Sequence, residues 1–292
     1  FSCAYAVHRI RHKGAEGKKC GGGISSSLTF FTSSDSNYQL IHTISINKYR
    51  KSIKTHMASI AVIGTGYVGL VSGACLADFG NTVTCVDVDE KKINLLNDGH
   101  IPIYEPGLSE VVARNVAAER LFFTCDRAKA VQEAEVVFIA VGTPPLDDGS
   151  ADLQYVEQAA RAIGKFMDGY RVIVDKSTVP IGTARAVKQW VSEELAARGL
   201  TYEFDVVSNP EFLREGTAVY DFMHPDRVVL GIESDKAREL MRAIYRVLYL
   251  NETPFIETNL ESAEMIKYAS NAFLAVKITF INEIANLCEA VG

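Results

Sequence analysis

A glycine-rich turn between an apolar run and an amphipathic stretch constrains the fold of this chain more than any other feature. The aliphatic run Ile60–Ile63 leads directly into Gly64-Thr65-Gly66-Tyr67-Val68-Gly69. In such a pattern Gly64 makes the tight turn, Gly66 lets the backbone approach a phosphate, and Gly69 allows the helix to pack closely on the strand. The spacing therefore predicts a strand, a turn and a helix whose N-terminus holds the pyrophosphate of a dinucleotide.

Two further strand ends extend this predicted cofactor site. The run Thr82–Asp87 ends in a carboxylate where ribose hydroxyls are bound, which favours NAD over NADP because Asp87 would repel a 2′-phosphate. Lys91 and Lys92 leave that preference open, and Lys92 is itself a candidate cofactor contact. Cofactor contacts are also predicted in the turn after a later apolar run, at Gly142, Thr143 and Pro144.

From Ser59 onward, short β-branched runs alternate with amphipathic stretches, which is typical of an α/β fold with a doubly wound, Rossmann-type parallel sheet. The predicted strands are Ile60–Ile63, Thr82–Asp87, Leu121–Thr124, Val136–Val141, Arg171–Asp175, Phe204–Val207 and Val228–Gly231. The predicted helices include Tyr67–Phe79, Leu153–Phe166, Thr183–Ala197 and Lys236–Leu250. After Pro254 we expect one long helix, from about Asn259 to Ala290, and no further strand.

This pattern divides the chain into three predicted parts. Residues 57–258 form an NAD-binding domain, and residues 259–292 begin a second, helical domain. Residues 1–56 hold nine Lys and Arg against two acidic residues, and we interpret them as a disordered leader or translated upstream sequence. An organelle-targeting peptide is the alternative for this segment.

The composition argues against several classes of partner. Residues 57–292 hold 21 Lys and Arg against 34 Asp and Glu, whereas nucleic-acid backbones are bound by clustered cations. No apolar run reaches the roughly 18 residues of a membrane-spanning helix. The six cysteines lack the spacing of a metal site and fit a reducing compartment, so we predict a cytoplasmic protein without a metal.

Two segments beyond the cofactor turns carry hydroxyls and carboxylates suited to chemistry. Ser177 and Thr178 follow a predicted strand, so their hydroxyls either face a ligand at the carboxyl edge of the sheet or cap a helix. Glu211 and Glu215 are four residues apart and share one face if their segment is helical. They are then either functional acids or part of a solvated surface.

Lys267 and Asn271 are also four residues apart, on the long and otherwise apolar helix. This spacing places an ammonium and an amide side by side. Such a lysine is ordinarily exposed on the surface. The alternative is that Lys267 and Asn271 both face a ligand.

These segments resemble the UDP-glucose/GDP-mannose dehydrogenase family. Besides the glycine turn, the resemblance rests on Lys176–Thr183, Ser208–Gly216 and Glu264–Ala275, and it covers essentially all of residues 57–292. The family oxidises the C6 alcohol of a nucleotide sugar to a carboxylate in two hydride transfers to NAD, through a cysteine-bound thioester. The segment Pro144–Leu153 is most similar to the bacterial UDP-glucose branch, so the expected substrate is UDP-glucose. GDP-mannose and UDP-N-acetylhexosamines are the nearest alternatives, and the β-hydroxyacid dehydrogenases are a more distant one.

The resemblance also implies roles for individual residues. Thr178 would order a water near the sugar, and Glu211 would handle water during thioester hydrolysis. Lys267 would stabilise the charge at the oxidised carbon, while Asn271 would help to hold the water or the sugar. The implied substrate contacts are Glu211, Phe212, Leu213, Arg214, Glu215, Lys267 and Asn271, and the implied cofactor contacts include Ser177, Thr178 and Glu215.

In the family, the nucleophilic cysteine lies in a G-x-C-F-P-K-D segment beyond the long helix, and a UDP-binding domain follows. Neither is found in residues 1–292, and Cys288 does not lie in such a context. We therefore expect this chain to be the N-terminal part of such an enzyme and to be inactive by itself, a non-catalytic NAD-binding module being the alternative. The resemblance further implies a homodimer formed through the 259–292 helix.

Overall fold

The computed structural model describes residues 57–292, so the interpretation of residues 1–56 as a disordered leader lies outside the described residues. The strands are β1 (Ser59–Ile63), β2 (Thr82–Val86), β3 (Leu121–Thr124), β4 (Val136–Ile139), β5 (Arg171–Asp175), β6 (Phe204–Ser208), β7 (Val228–Gly231) and β8 (Phe255–Thr258). The helices are α1 (Tyr67–Asp78), α2 (Glu90–Asn97), α3 (Leu108–Ala117), α4 (Arg127–Glu133), α5 (Gln154–Phe166), α6 (Thr183–Ala197), α7 (Ala218–Met223), α8 (Asp235–Ile244) and α9 (Leu260–Val291), with a 3₁₀ helix at Arg246–Asn251.

All of these strands belong to one sheet, in the order β3-β2-β1-β4-β5-β6-β7-β8. The first six strands in the chain pair in parallel, which confirms the predicted Rossmann-type fold. The chain order reverses between β1 and β4, and ligands of such sheets bind in the crevice at the carboxyl ends of the strands around that point. The turns after β1, β2, β4, β5 and β6 therefore meet along one edge, which we call the carboxyl edge.

The last two strands differ from the prediction of a wholly parallel sheet. β7 runs antiparallel to β6, because its connection holds only the six-residue helix α7 and not the longer crossover that a parallel neighbour requires. β8 then pairs in parallel with β7. The prediction that no strand follows Pro254 is wrong, since β8 is a four-residue, partly exposed edge strand without an apolar pattern. The predicted helix Lys236–Leu250 is divided into α8 and the 3₁₀ helix.

Apolar side chains cover both faces of the sheet. Along β4, Phe138 packs into a cluster with residues of α1, α3, α7 and α8, while its neighbour Ile139 packs on the opposite face with α4, α5 and α6. Both side chains are fully buried. This alternation places two hydrophobic cores on a central strand, as expected for a sheet with helices on both sides.

Among the residues that the structure describes, the helix α9 is packed only near its beginning. Asn259 caps it by accepting the N–H of Ser262, and its buried residues, Leu260, Ala263, Glu264 and Lys267, all lie in the first two turns. Every residue from Asn271 onward is exposed within this chain. Within residues 57–292, no helix combines the length and the hydropathy needed to cross a membrane.

Candidate active site

The glycine turn has the geometry that its sequence predicts. Gly64 has a φ of +103°, and a Cβ there would lie 2.5 Å from the carbonyl oxygen of Ala140. A Cβ on Gly69 would come well under 3.0 Å from the carbonyl oxygen of Gly64. By contrast, a Cβ on Gly66 would meet no atom within 4 Å. Gly64 and Gly69 are therefore required by packing within the turn, whereas Gly66 borders open space in which a ligand can approach the backbone.

The N-terminus of α1 carries no side-chain cap, as is also true of α3, α5, α6 and α7. Its N-cap, Gly66, has no side chain to accept a hydrogen bond, and its first turn holds no acidic residue. Side-chain caps are present on α2, α4, α8 and α9, from Asp89, Asp126, Ser234 and Asn259. The free N–H groups and the positive end of the α1 dipole thus fit the pyrophosphate of NAD.

Asp87 follows β2 and reaches back to the glycine turn. Its Oδ2 accepts the N–H of Thr65 at 2.9 Å and the Thr65 hydroxyl at 2.6 Å, and it also contacts Nζ of Lys92 at 3.3 Å. Burial alone would raise the pKa of Asp87, but the hydrogen bonds from Thr65 and the charge of Lys92 bring the pKa below its ordinary value. An ionised carboxylate therefore lies beside the glycine turn.

Side-chain hydrogen bonds connect the turns that follow β4 and β5. The Thr143 hydroxyl donates to the carbonyl oxygen of Thr178 at 2.8 Å, and the Ser177 hydroxyl donates to the carbonyl oxygen of Val141 at 2.8 Å. The N-cap of α6 is Gly182, so neither hydroxyl caps that helix. Gly142 and Pro144, in the same turn as Thr143, are exposed at the carboxyl edge.

Glu211 and Lys267 form a buried ion pair. Nζ of Lys267 lies 2.8 Å from Oε1 of Glu211, and the two side chains are 9% and 10% exposed respectively. The other carboxylate oxygen of Glu211 accepts the N–H of Leu213 at 2.5 Å. The surface alternative for Lys267 is thereby corrected, because α9 packs this lysine against the turn that follows β6.

Phe212 adjoins the ion pair, since Nζ of Lys267 lies 5.5 Å from the centre of its ring, whereas Arg214, Glu215 and Asn271 are not gathered around it. Residues 209–214 are not helical, so Glu211 and Glu215 do not share a helical face. Glu215 and Asn271 are exposed. The Arg214 side chain is 74% exposed and pairs with Asp221 instead.

A cavity of about 520 Å³ adjoins Glu211, and Phe212 and Leu213 line it. Lys176 is buried in its wall, and the nearest acceptor of its ammonium is Oδ1 of Asn209 at 3.3 Å. Burial, together with the charge of Lys267, lowers the pKa of Lys176 to about 8 although Glu211 opposes the shift. The guanidinium of Arg227 stacks over the Phe212 ring at 4.5 Å, and the cavity has the size of a small-molecule site.

Sequence reasoning missed a pair of buried carboxylates on the other face of the sheet. Neither oxygen of Asp175, at the end of β5, has a hydrogen-bond partner within the described residues. Burial and the nearby charge of Glu264 raise the pKa of Asp175 to about 8. Glu264 accepts the N–H groups of Gly182 and Ala184 at 2.6 and 2.7 Å, which ties α9 to the beginning of α6. A signal for Asp175 does exist in the sequence, since an acid directly follows the apolar residues Val172–Val174 of the strand.

Comparison with protein families matches most of the described chain. Residues 58–249 match the NAD-binding domain of the UDP-glucose/GDP-mannose dehydrogenase family, and residues 261–292 match the central domain of the same family. A UDP-glucose 6-dehydrogenase of Rhizobium meliloti (strain 1021) is 57% identical over 236 residues, which is 80% of this chain and 53% of that protein. The chain thus spans about half the length of the curated relatives it matches.

Solved structures show the same similarity. A UDP-glucose dehydrogenase from Pyrobaculum islandicum has a TM-score of 0.75 and 43% identity, covering 80% of this chain and 53% of that one. A GDP-mannose dehydrogenase from Pseudomonas aeruginosa, solved as a ternary complex, has a TM-score of 0.75 and 39% identity, with coverage of 80% and 54%.

Proposed function

Since this chain belongs to the UDP-glucose/GDP-mannose dehydrogenase family, we propose that it forms the NAD-binding half of an enzyme that oxidises UDP-glucose to UDP-glucuronate. In this proposal residues 57–258 bind NAD and residues 259–292 begin a helical dimerisation domain. The buried Glu211–Lys267 ion pair at the carboxyl edge carries the proposal, because it gives the edge a base and a fixed cation. GDP-mannose remains the second candidate substrate, since its dehydrogenase has a TM-score equal to that of the UDP-glucose enzyme.

The cofactor part of the reaction depends on the glycine turn. When bound, NAD accepts a hydride from C6 of the sugar in each of two oxidations. The N–H groups at the beginning of α1 bind the pyrophosphate, and Asp87 accepts hydrogen bonds from the adenosine ribose. The turns at Thr143 and Thr178 border the same crevice, where they exclude water and orient the reacting groups.

Glu211 and Lys267 act on the sugar in the steps that follow from the family resemblance. Lys267 stabilises the negative charge that develops on the C6 oxygen. In the hydrolytic step Glu211 takes a proton from the water that attacks the thioester carbon, the new C–O bond forms, and the C–S bond breaks with the thiolate as leaving group. Overall, an alcohol, a water and two NAD⁺ give a carboxylate, two NADH and three protons.

Substitution of Glu211 tests this assignment. In the chain extended beyond Gly292 with the C-terminal half of the Rhizobium meliloti relative, Glu211→Gln should lower kcat by about 100-fold, because an amide cannot accept the proton of the attacking water. A covalent acyl-enzyme should then accumulate, and mass spectrometry after mixing with UDP-glucose and NAD would detect it. NAD affinity, measured by calorimetry, should stay unchanged.

Glu203→Gln, at the exposed residue that precedes β6, is the matched control and should turn over normally. Normal turnover of Glu211→Gln without an adduct would remove Glu211 from this role. Oxidation of UDP-glucose by residues 1–292 alone would overturn the view that the chain supplies only half of the enzyme.

We also propose that α9 pairs with a second copy of this chain. Phe273, Phe280 and Ile281 are more than half exposed, which leaves an apolar helix surface without a partner among residues 57–292. Sedimentation equilibrium should therefore show a dimer, and Phe280→Glu should dissociate it without loss of NAD binding. A monomer over a wide concentration range would contradict this expectation.

A further inference from the structure

Glu105 is a buried carboxylate that no step of the proposed function uses. It lies in the turn before α3, and only 5% of its surface is exposed. Burial of a carboxylate is costly unless hydrogen bonds compensate for the lost hydration. The donors that surround Glu105 therefore show what this residue holds in place.

The two oxygens of Glu105 accept hydrogen bonds from two separate parts of the candidate site. Oε2 accepts the hydroxyl of Tyr67, the first residue of α1, and also the N–H of Gly216 at 2.8 Å. Oε1 accepts the N–H of Ala218 at 2.7 Å. Gly216 ends the segment 209–216, which also contains Glu211. One side chain thus connects the cofactor turn with the segment that carries the candidate base.

The charge of Glu105 suits this position. Burial alone would raise its pKa, but the hydrogen bonds from Tyr67, Gly216 and Ala218 outweigh burial and hold the pKa below the ordinary value. An ionised carboxylate has enough lone pairs to accept all three donors, whereas the amide nitrogen of a glutamine can accept none. Glu105→Gln therefore keeps the shape of the side chain and removes half of its acceptors.

We propose that Glu105 is a positioning residue that fixes the 209–216 segment relative to the cofactor turn. The inference rests on the proposed function, because hydride transfer requires the reacting carbon and the cofactor to be held within about 0.5 Å of their productive geometry. A bridge between two loops also couples them, so a change that loosens the 209–216 segment weakens ligand binding at the cofactor turn, and the reverse.

Two measurements on residues 1–292 test the proposed role of Glu105. One is calorimetric titration with NAD, and the other is amide hydrogen exchange. Glu105→Gln should weaken NAD binding about tenfold and speed amide exchange at Gly216 and Ala218. Tyr67→Phe should weaken NAD binding less. The double variant should bind NAD no more weakly than Glu105→Gln alone, because both changes act through one contact.

Asp78→Asn is the matched control, since Asp78 is the last residue of α1 and holds the opposite end of the same helix through Arg114 and Asn115. It should lower the melting temperature and leave NAD affinity unchanged. Faster exchange at Gly216 and Ala218 with normal NAD affinity in Glu105→Gln would make Glu105 a helix cap only and overturn the proposal. Equal loss of NAD affinity in Asp78→Asn, or additive effects in the double variant, would also overturn it. Failure of the unsubstituted chain to bind NAD would instead refute the proposed function.

Discussion

Gly69→Ala is expected to lower the free energy of unfolding by about 3 kcal/mol or more, a large part of the stability of a typical domain. The added methyl would press on the carbonyl oxygen of Gly64 and approach the Ala140 side chain at 3.3 Å. Gly64 cannot retreat, because its N–H donates to the carbonyl oxygen of Val86 at 2.8 Å and the Ala140 backbone lies on its other side. Urea unfolding followed by circular dichroism would measure the loss.

Gly66→Ala provides the matched control for this substitution and separates stability from binding. No atom lies within 4 Å of the added methyl, and Gly66 has a φ of −69°, which any residue adopts. We expect its stability to change by less than about 1 kcal/mol, while NAD binding falls at least tenfold because the methyl occupies the approach of the pyrophosphate. Unchanged stability of Gly69→Ala, or unchanged NAD affinity of Gly66→Ala, would contradict the described turn.

Asp175→Asn is expected to stabilise the chain strongly at alkaline pH and little at pH 5. In the unfolded chain Asp175 ionises near its ordinary pKa of about 3.9, whereas burial and Glu264 raise its folded pKa to about 8. Between these values the folded state binds the extra proton, so stability is fully present below pH 4 and is lost as the pH rises through 8. Asparagine stays neutral and escapes this loss, which amounts to up to about 1.4 kcal/mol per pH unit.

Thermal unfolding of the original chain and of Asp175→Asn, at several pH values between 5 and 8.5, would measure the difference in their stability. The difference should grow with pH, because burial and the charge of Glu264 both oppose ionisation of Asp175 in the folded chain. Asp98→Asn, at an exposed aspartate, should show no such trend. A pH-independent difference between Asp175→Asn and the original chain would mean that Asp175 is not held neutral in the fold.

Most strands of the sheet can be predicted because each is encoded by a run of consecutive residues. The runs of β3, β5 and β7 are mainly apolar, and their predicted limits are the observed ones. The direction of a strand relative to its neighbour cannot be predicted from the strand's own residues, because a short run such as β7 can pair in parallel or antiparallel. The short helix α7 decides the direction by keeping the connection at the carboxyl edge. β8 is harder still, since only two of its four residues are apolar.

The residues of the candidate site also differ in how well the sequence predicts their proximity. The glycine turn and Asp87 form a local unit, so spacing alone predicts their proximity. Glu211 and Lys267 are 56 residues apart and meet only because β6 and α9 lie side by side, which no periodicity reveals. Glu105 is further removed, at 111 residues from Gly216, and its burial among backbone donors depends on the turn before α3.

The beginning of α9 is packed and the rest of the helix is exposed, so a displacement of its far end can move residues near its beginning. The helix is held over its first 11 residues, and about 30 Å of it extends beyond, at 1.5 Å per residue. Lys267 lies about 10 Å along a helix of about 46 Å, so a sideways displacement of about 4 Å at the far end moves this lysine by nearly 1 Å if the helix tilts rigidly about its start. That is enough to lengthen the 2.8 Å contact with Glu211 beyond hydrogen-bonding range. A displacement of the distal part of α9 is thus transmitted, reduced about fourfold, to the ion pair at the carboxyl edge.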